Sequence, residues 1–297
     1  MASVSDYLKL IVPEYIPMGI TGLLVGAVAS LNALPGARFW VAAACVAFII
    51  SGYNSYNAII DKDIDIINKP YRPLPKGILS EKKALHIALI SYAIAFLLAL
   101  TINTTFLVIA TATILLTIAY SHPIIHLKKR FLIGTLSAVT LYTFLAPLLG
   151  WSIYPNNPIP LPIILFIFFL GLPKGIMKDY VDLVGDAYHR IQSLPVQLGY
   201  KSSILMVLLF YLLSAIFLCF LVYEKLIPTS FLTLIVFYPF MLWNVYCLPK
   251  KFDSNTRNDF AFIKAMIILI LIELTITVML IYKPTIPELN ALVNTLS

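Results

Sequence analysis

The sequence predicts an all-α polytopic membrane protein, and three observations carry that reading. The chain of 297 residues is 60% hydrophobic and only 12% charged. Its mean hydropathy is +0.92. Its apolar residues fall in long runs near the roughly 20 residues that a helix needs to cross a bilayer. A soluble domain of this length needs more charge on its surface. The runs are continuous rather than alternating, which argues against a β-barrel.

Nine stretches meet the length requirement, in chain order. The first, 15–34, follows a flank with a single cation, Lys9, and no small-residue cleavage site comes after it, so it is not a cleavable signal peptide. The second, 39–60, comes after "PGAR" and ends in the polar run "YNSYNAIID" (53–61). Stretches 84–102 and 104–121 are separated only by Asn103. Next come 132–151, the loop "SIYPNNPIP", and 161–178. Stretches 202–223 and 229–248 flank "YEKLIP", and 260–282 is the ninth. The longer connections, 61–83 and 179–201, and the short basic segment "SHPIIHLKKR" (121–130) share the opposite side. With the N-terminus in the cytoplasm, every one of the 21 Lys and Arg except Arg38, Lys225 and Lys283 falls on inner segments. The positive-inside rule therefore predicts that orientation, with the C-terminus outside. The net charge of +7 follows this topology rather than a nucleic-acid partner. No low-complexity linker divides the chain, so a single domain over 1–297 is expected.

Cys45, Cys219 and Cys247 lie in apolar stretches and read as small core hydrophobes. No cysteine or histidine spacing suits a transition metal; His122 and His126 are separated by Pro123 and lack acidic or thiol company.

The inner loops hold the chemistry. Asn57, Asp61 and Asp65 recur every four residues and form a column on one helix face, with Asp63 pointing away. Asp179, Asp182 and Asp186, at i, i+3 and i+7, form a second column. Each is followed by an Arg and a Pro (Arg72, Pro73; Arg190, Pro195), which hints at two similar four-helix halves plus a ninth helix. Facing carboxylate columns repel strongly near lipid unless a counter-charge joins them. Mg²⁺ fits that need, because it takes a few carboxylates together with waters and phosphate oxygens. Arg72, Lys76, Lys128, Lys178 and Arg190 stand near enough in sequence to contact phosphate oxygens that the metal leaves free. A diphosphate handled at the membrane suggests an isoprenyl diphosphate, whose ionisation leaves an allylic carbocation for an apolar, aromatic cavity to shelter. Glu273, in the middle of the ninth stretch, is a candidate functional acid.

The stretches "NAIIDKDID" (57–65) with "NKPYRPLPKG" (68–77), "AYSHPIIHLKKR" (119–130), and "KDYVDLVGDAYHRIQSLPVQLG" (178–199) resemble the motifs of the UbiA superfamily of intramembrane prenyltransferases. The resemblance covers nearly the whole chain. It implies a nine-helix bundle around a central cavity, in the cell membrane with its active site facing the cytoplasm. It implies Mg²⁺ held by Asn57, Asp61, Asp65, Asp179, Asp182 and Asp186. The four acids Asp61, Asp65, Asp182 and Asp186 would be catalytic. Diphosphate contacts would come from Arg72, Lys128, Lys178 and Arg190, with Tyr120 and Ser121 near the reacting carbon or the acceptor. The implied donor is a prenyl diphosphate and the implied acceptor a lipophilic or aromatic molecule in the bilayer. The chain departs from many relatives at "IVPEYIPMG", where an Arg-Pro is missing and Glu14 stands as an interfacial acid; this argues against a small aromatic carboxylate acceptor. The first motif, "INKPYRPLPKG", and the pattern of Lys178, Asp179, Asp182 and Asp186 look closest to the branch of digeranylgeranylglyceryl phosphate synthases and chlorophyll synthases. A terpene cyclase of the same fold, quenching the carbocation internally, is the alternative. A transporter of anionic lipids would instead require broken helices and charges near the bilayer midplane, whereas the charges here, Glu273 apart, are expected at the inner rim.

Overall fold

The computed structural model describes residues 2–248 and 257–282. Lys250, Lys251 and Lys283, which contribute to the charge pattern, lie outside the described residues, as does the Arg257 side chain. In chain order the helices are α1 (Val4–Ile11), α2 (Ile16–Leu31), α3 (Ala37–Ile60), α4 (Lys62–Asn68), α5 (Glu81–Leu100), α6 (Thr104–Ser121), α7 (Phe131–Thr143), α8 (Leu145–Ser152), α9 (Leu161–Val181), α10 (Leu183–Tyr188), α11 (Leu194–Tyr223), α12 (Tyr238–Tyr246) and α13 (Arg257–Tyr282). A 3₁₀ segment, Thr229–Phe237, leads into α12. Among the described residues all regular structure is helical, and nine helical segments are long and apolar enough to cross a membrane.

Local chemistry sets many of the boundaries. The lone Asn103 between α5 and α6 is an N-cap, its Oδ1 accepting the Phe106 amide at 2.8 Å. Its side-chain amide also donates to the Ser152 carbonyl at 2.9 Å, tying the start of the fourth span to the end of the fifth. Short α1 closes with Val12 in the left-handed region (φ 52°), and Asn54 of α3 donates to the Ile11 carbonyl at 2.9 Å.

Three spans differ from expectation, each for a backbone reason. The fifth breaks at Phe144 into α7 and α8, because Pro147 has no N–H for the Thr143 carbonyl. The seventh begins upstream at Leu194 and bends at Gly199, whose φ of 72° and ψ of 174° suit only glycine. The eighth is 3₁₀ through Phe237, and Pro239 then opens α12.

One large buried apolar cluster joins α9, α11 and α13. A second joins α2, α3, α5 and α6. Cys45 belongs to this second core, its Sγ donating to the Ala95 carbonyl at 3.2 Å. The expectation for the other two cysteines is corrected: Cys219 and Cys247 are exposed on the outer face of the bundle. The spans carrying them pack through one side only, and an apolar residue on the other side meets lipid at no cost.

Helices α2 and α8 approach until backbone meets backbone. A Cβ at Gly26 would lie 1.8 Å from the Pro147 carbonyl oxygen, and one at Gly150 would lie 1.9 Å from that of Leu23. Gly26→Val or Gly150→Val must therefore push the helices apart, and each should destabilise the fold by about 3 kcal/mol or more. Thermal unfolding in detergent checks this; Gly36→Ala, where a Cβ meets nothing within 4 Å, is the control with an unchanged midpoint.

Candidate functional site

Helix α3 passes into α4 at Asp61 without losing its hydrogen-bond ladder. The Asp61 N–H donates to the Asn57 carbonyl at 2.8 Å, and the Asp65 N–H to the Asp61 carbonyl at 2.7 Å. The four-residue spacing therefore survives. Asp61 and Asp65 are buried, Asn57 is half-buried, and Asp63 is exposed, as the helical column requires. The α9–α10 junction repeats the device: the Asp186 N–H donates to the Asp182 carbonyl at 2.9 Å, and both acids are buried.

A single side chain locks the two junctions together. Asn68 donates from Nδ2 to the Asp182 carbonyl at 2.7 Å, and its Oδ1 accepts the Gly185 N–H at 2.7 Å. Gly185 is required by this approach, because a Cβ there would lie 2.6 Å from the Asn68 amide nitrogen. The two acid-bearing stretches, distant in sequence, thus form one site.

Four cations lie among the acids. Lys128 Nζ is 2.5 Å from Asp61 Oδ2 and 3.9 Å from Asp186 Oδ1, so it bridges the two columns. Lys69 also bridges them, hydrogen-bonded to Asp182 and 3.9 Å from Asp65 Oδ1. Arg72 Nη1 donates to Asp65 Oδ2 at 2.9 Å, and Lys178 Nζ is 3.7 Å from Asp182 Oδ2. Asn57 donates to Asp61 Oδ2 at 2.7 Å. Burial opposes ionisation of Asp61, but the charge and hydrogen bond of Lys128 outweigh it and hold the carboxyl below the usual range. Asp182 is likewise buried, and Lys69, Lys178 and Lys128 hold it well below the range. Asp186 moves the opposite way. Its burial, reinforced by the charges of Asp182 and Asp179, outweighs Lys128 and raises its pKa.

Arg72, Lys128 and Lys178 thus lie beside the acids. Arg190 does not: it is exposed, in the left-handed region at φ 57°, and the turn after α10 carries it off the cluster. Asp179 is buried and accepts from Thr135 Oγ1 of α7 at 2.7 Å. Tyr120 packs edge-on against Tyr53 at 5.7 Å between ring centroids, with Lys178 Nζ 5.9 Å from its own centroid. Ser121 is fully buried, and its hydroxyl has no partner. Lys69, Asn68 and Tyr53 were not singled out from sequence. The i, i+4 spacing of Asp65 and Lys69 was a usable signal for one of them.

The site opens into a cleft. Asn57, Asp61, Lys69, Arg72, Lys178 and Asp182 share its lining with Met18, Tyr53, Tyr142 and Phe262. A separate apolar pocket adjoins at Tyr53 and Tyr142. One charge contradicts the expected confinement to the inner rim: Lys174, one turn before Lys178 on α9, is 9% exposed and lines the cleft. Glu273 is fully buried, bonded by Thr21 through one oxygen and unpartnered at the other.

The donor set suits a hard divalent cation. Asp61 Oδ1 and Asp186 Oδ1 are buried without a hydrogen-bond partner. Among the described residues no three acid, His or Cys side chains stand close enough to chelate an ion alone. An ion here would complete its shell with water and phosphate oxygens, which is how Mg²⁺ is usually bound.

Replacing Asn68 by Leu removes both clasp bonds; it leaves the Gly185 N–H unsatisfied and the Asp182 carbonyl with only the Asp186 N–H. The expected loss is about 2–4 kcal/mol, read as a lower unfolding midpoint in detergent, whereas Asp63→Asn on the exposed face should leave the midpoint within about 1 °C.

Comparison with known proteins agrees with this geometry. The model of the UbiA prenyltransferase family matches residues 18–268. The digeranylgeranylglyceryl phosphate synthase of Pyrococcus furiosus is 33% identical over 203 residues, 67% of this chain and 70% of that one. The synthase of the same name from Korarchaeum cryptofilum is 28% identical over 275 residues, 91% of this chain and 95% of that one. Among solved structures, a digeranylgeranylglyceryl phosphate synthase superposes with a TM-score of 0.68 at 25% identity, covering 94% of this chain and 99% of its own. A UbiA homologue from Archaeoglobus fulgidus bound to GPP and Mg²⁺ has a TM-score of 0.73 at 19% identity, covering 93% of this chain and 99% of its own, and so shares the fold. With a family model matched across most of its length and this acid-lined site at the end of an apolar cleft, the chain belongs to the UbiA prenyltransferase family.

Proposed function

We propose that this prenyltransferase moves an isoprenyl group from a prenyl diphosphate to the hydroxyl of a lipophilic acceptor carrying glycerol phosphate, with Mg²⁺ as its cofactor. The observation that carries this reading is the pair of acid-bearing helix ends clasped at Asn68, at the polar end of an apolar cleft. The names of the relatives support the acceptor class, and the missing Arg-Pro near Glu14 argues against a small aromatic carboxylate.

Asn57, Asp61 and Asp65 on one side, and Asp179, Asp182 and Asp186 on the other, would hold Mg²⁺ through oxygen atoms and water. When bound, the metal supplies positive charge to the diphosphate oxygens. The protein's own cations do the same from fixed positions. Lys69, Arg72, Lys128 and Lys178 surround the place where negative charge grows as the bond from the prenyl carbon to the diphosphate oxygen breaks. The walls beyond them turn apolar and aromatic, which keeps water from the developing carbocation. The Tyr53 ring offers it quadrupole attraction. The acceptor oxygen then bonds to the first prenyl carbon as its hydroxyl proton passes to the departing diphosphate. Tyr120 supports Tyr53 from behind, and Asp179 is positioned by Thr135. The site lies at the cytoplasmic side under the charge distribution, with the N-terminus inside and one domain spanning residues 1–297.

Asp61→Ala and Asp182→Ala should each lower product formation at least about 100-fold while the protein still inserts and elutes as a folded species. The assay is mass analysis of lipid products from purified protein, Mg²⁺, geranylgeranyl diphosphate and a phosphorylated glycerol ether; near-normal turnover in either variant would remove the metal and diphosphate assignment. A cyclised hydrocarbon formed without acceptor would point to the cyclase chemistry instead. Chelation with EDTA should abolish transfer and added Mg²⁺ should restore it. Arg190→Ala should retain transfer within about twofold, as a solvated side chain far from the acids does, whereas Arg72→Ala should lose it.

A further inference from the structure

Lys174 is not explained by the diphosphate site. It lies on the same face of α9 as Lys178 and Asp182, at spacings of four and eight residues. Each helical turn rises about 5.4 Å, so it sits one turn deeper in the cleft than Lys178 and two turns deeper than Asp182. It is nine-tenths buried. Its ammonium lies over two ring faces, 5.2 Å from the Tyr142 centroid and 5.3 Å from that of Phe262. No hydrogen bond or carboxylate within 4.0 Å engages it among the described residues, although Asp65, Asp182 and Asp61 all hold cations nearby. Glu273, whose charge acts on Lys174 at longer range, is bonded to Thr21 and stands beyond the 4.0 Å of an ion pair with it.

The position is rigidly built. Gly171 and Gly175 flank it, and a Cβ on either would lie 2.5 Å from Thr143 or Val139 of α7. Pro173 precedes it inside the helix. Ring faces stabilise an ammonium but accept none of its three N–H bonds in the way an oxygen does. A buried cation with donors turned into a cavity calls for an anionic ligand. The donor's diphosphate already faces Lys69, Arg72, Lys128 and Lys178 at the rim. A nucleophile attacking opposite the leaving group must come from the deeper side, where Lys174 stands.

We propose that Lys174 is a specificity residue that grips the phosphate of the acceptor lipid and so presents the acceptor's hydroxyl to the prenyl carbon. This rests on the prenyl-transfer reading above, and a binding assay without donor separates the two. The probes are a long-chain glycerol ether with one free hydroxyl and a phosphate monoester, its dephosphorylated twin, and a non-hydrolysable prenyl thiodiphosphate with Mg²⁺. The full-length protein in nanodiscs should bind the phosphorylated ether at least about tenfold more tightly than its twin, as expected for hydrogen bonds to a charged group. Lys174→Met should erase that preference and leave affinity for the twin and the thiodiphosphate unchanged; Lys174→Arg should keep most of it. In turnover the Met variant should raise KM for the phosphorylated acceptor and not for the donor. Should the Met variant fail to fold, Lys174→Gln gives the same reading. The proposal is overturned if the wild type shows no preference, if the uncharged variants keep it, or if thiodiphosphate binding weakens by the same factor, which would assign Lys174 to the donor. Failure of wild-type transfer with the binding preference intact would overturn the reaction and not the grip.

Discussion

The structure depends on charge compensation between two buried acid clusters at one end of the bundle. Four carboxylates that are nearly inaccessible to water would drive their helix ends apart if left alone. Lys128 and Lys69 prevent that by each reaching both clusters, and Arg72 and Lys178 add charge on one side each. Such buried pairs add little net stability, because removing the charges from water offsets most of their attraction. Their value is positional. They hold donors and acceptors of opposite sign in one place, largely shielded from solvent.

The bundle supplies what this arrangement needs. Backbone contact between α2 and α8 at Gly26 and Gly150 narrows one side of the fold. The break at Phe144 lets the fifth span pack against α2 through α8 and against α9 through α7. Glycines on α9 bring it close to α7, which places Thr135 on Asp179. Apolar packing therefore decides where the polar groups stand, and the cleft between the packed elements has a charged end and an aromatic body.

Much of this was legible in the sequence because the signals were periodic. Apolar runs of membrane length fixed the spans, and the i+4 and i+8 spacing of Asn57, Asp61 and Asp65 fixed their common face. Less legible was anything set by one backbone angle. Arg190 reads as a phosphate ligand by its distance from Asp186, yet a left-handed turn places it in solvent. Pro147 and Gly199 carry signals for a break and a bend, but apolar content masks both. Asn68 had no signal at all, since its two partners lie on α10 and at the residue before it, more than a hundred positions away. Lys174 was visible as a cation but not as an intramembrane one, because the end of an apolar stretch does not mark where a helix leaves the lipid.

The Asn68 clasp has a consequence for how the protein is made. Its partners at Asp182 and Gly185 are synthesised only after the sixth span. A nascent chain halted on the ribosome before that point has inserted the first acid stretch, together with Lys128, into the membrane without the second. Its site is therefore incomplete, and the second acid stretch joins the first only after the sixth span has been made and docked.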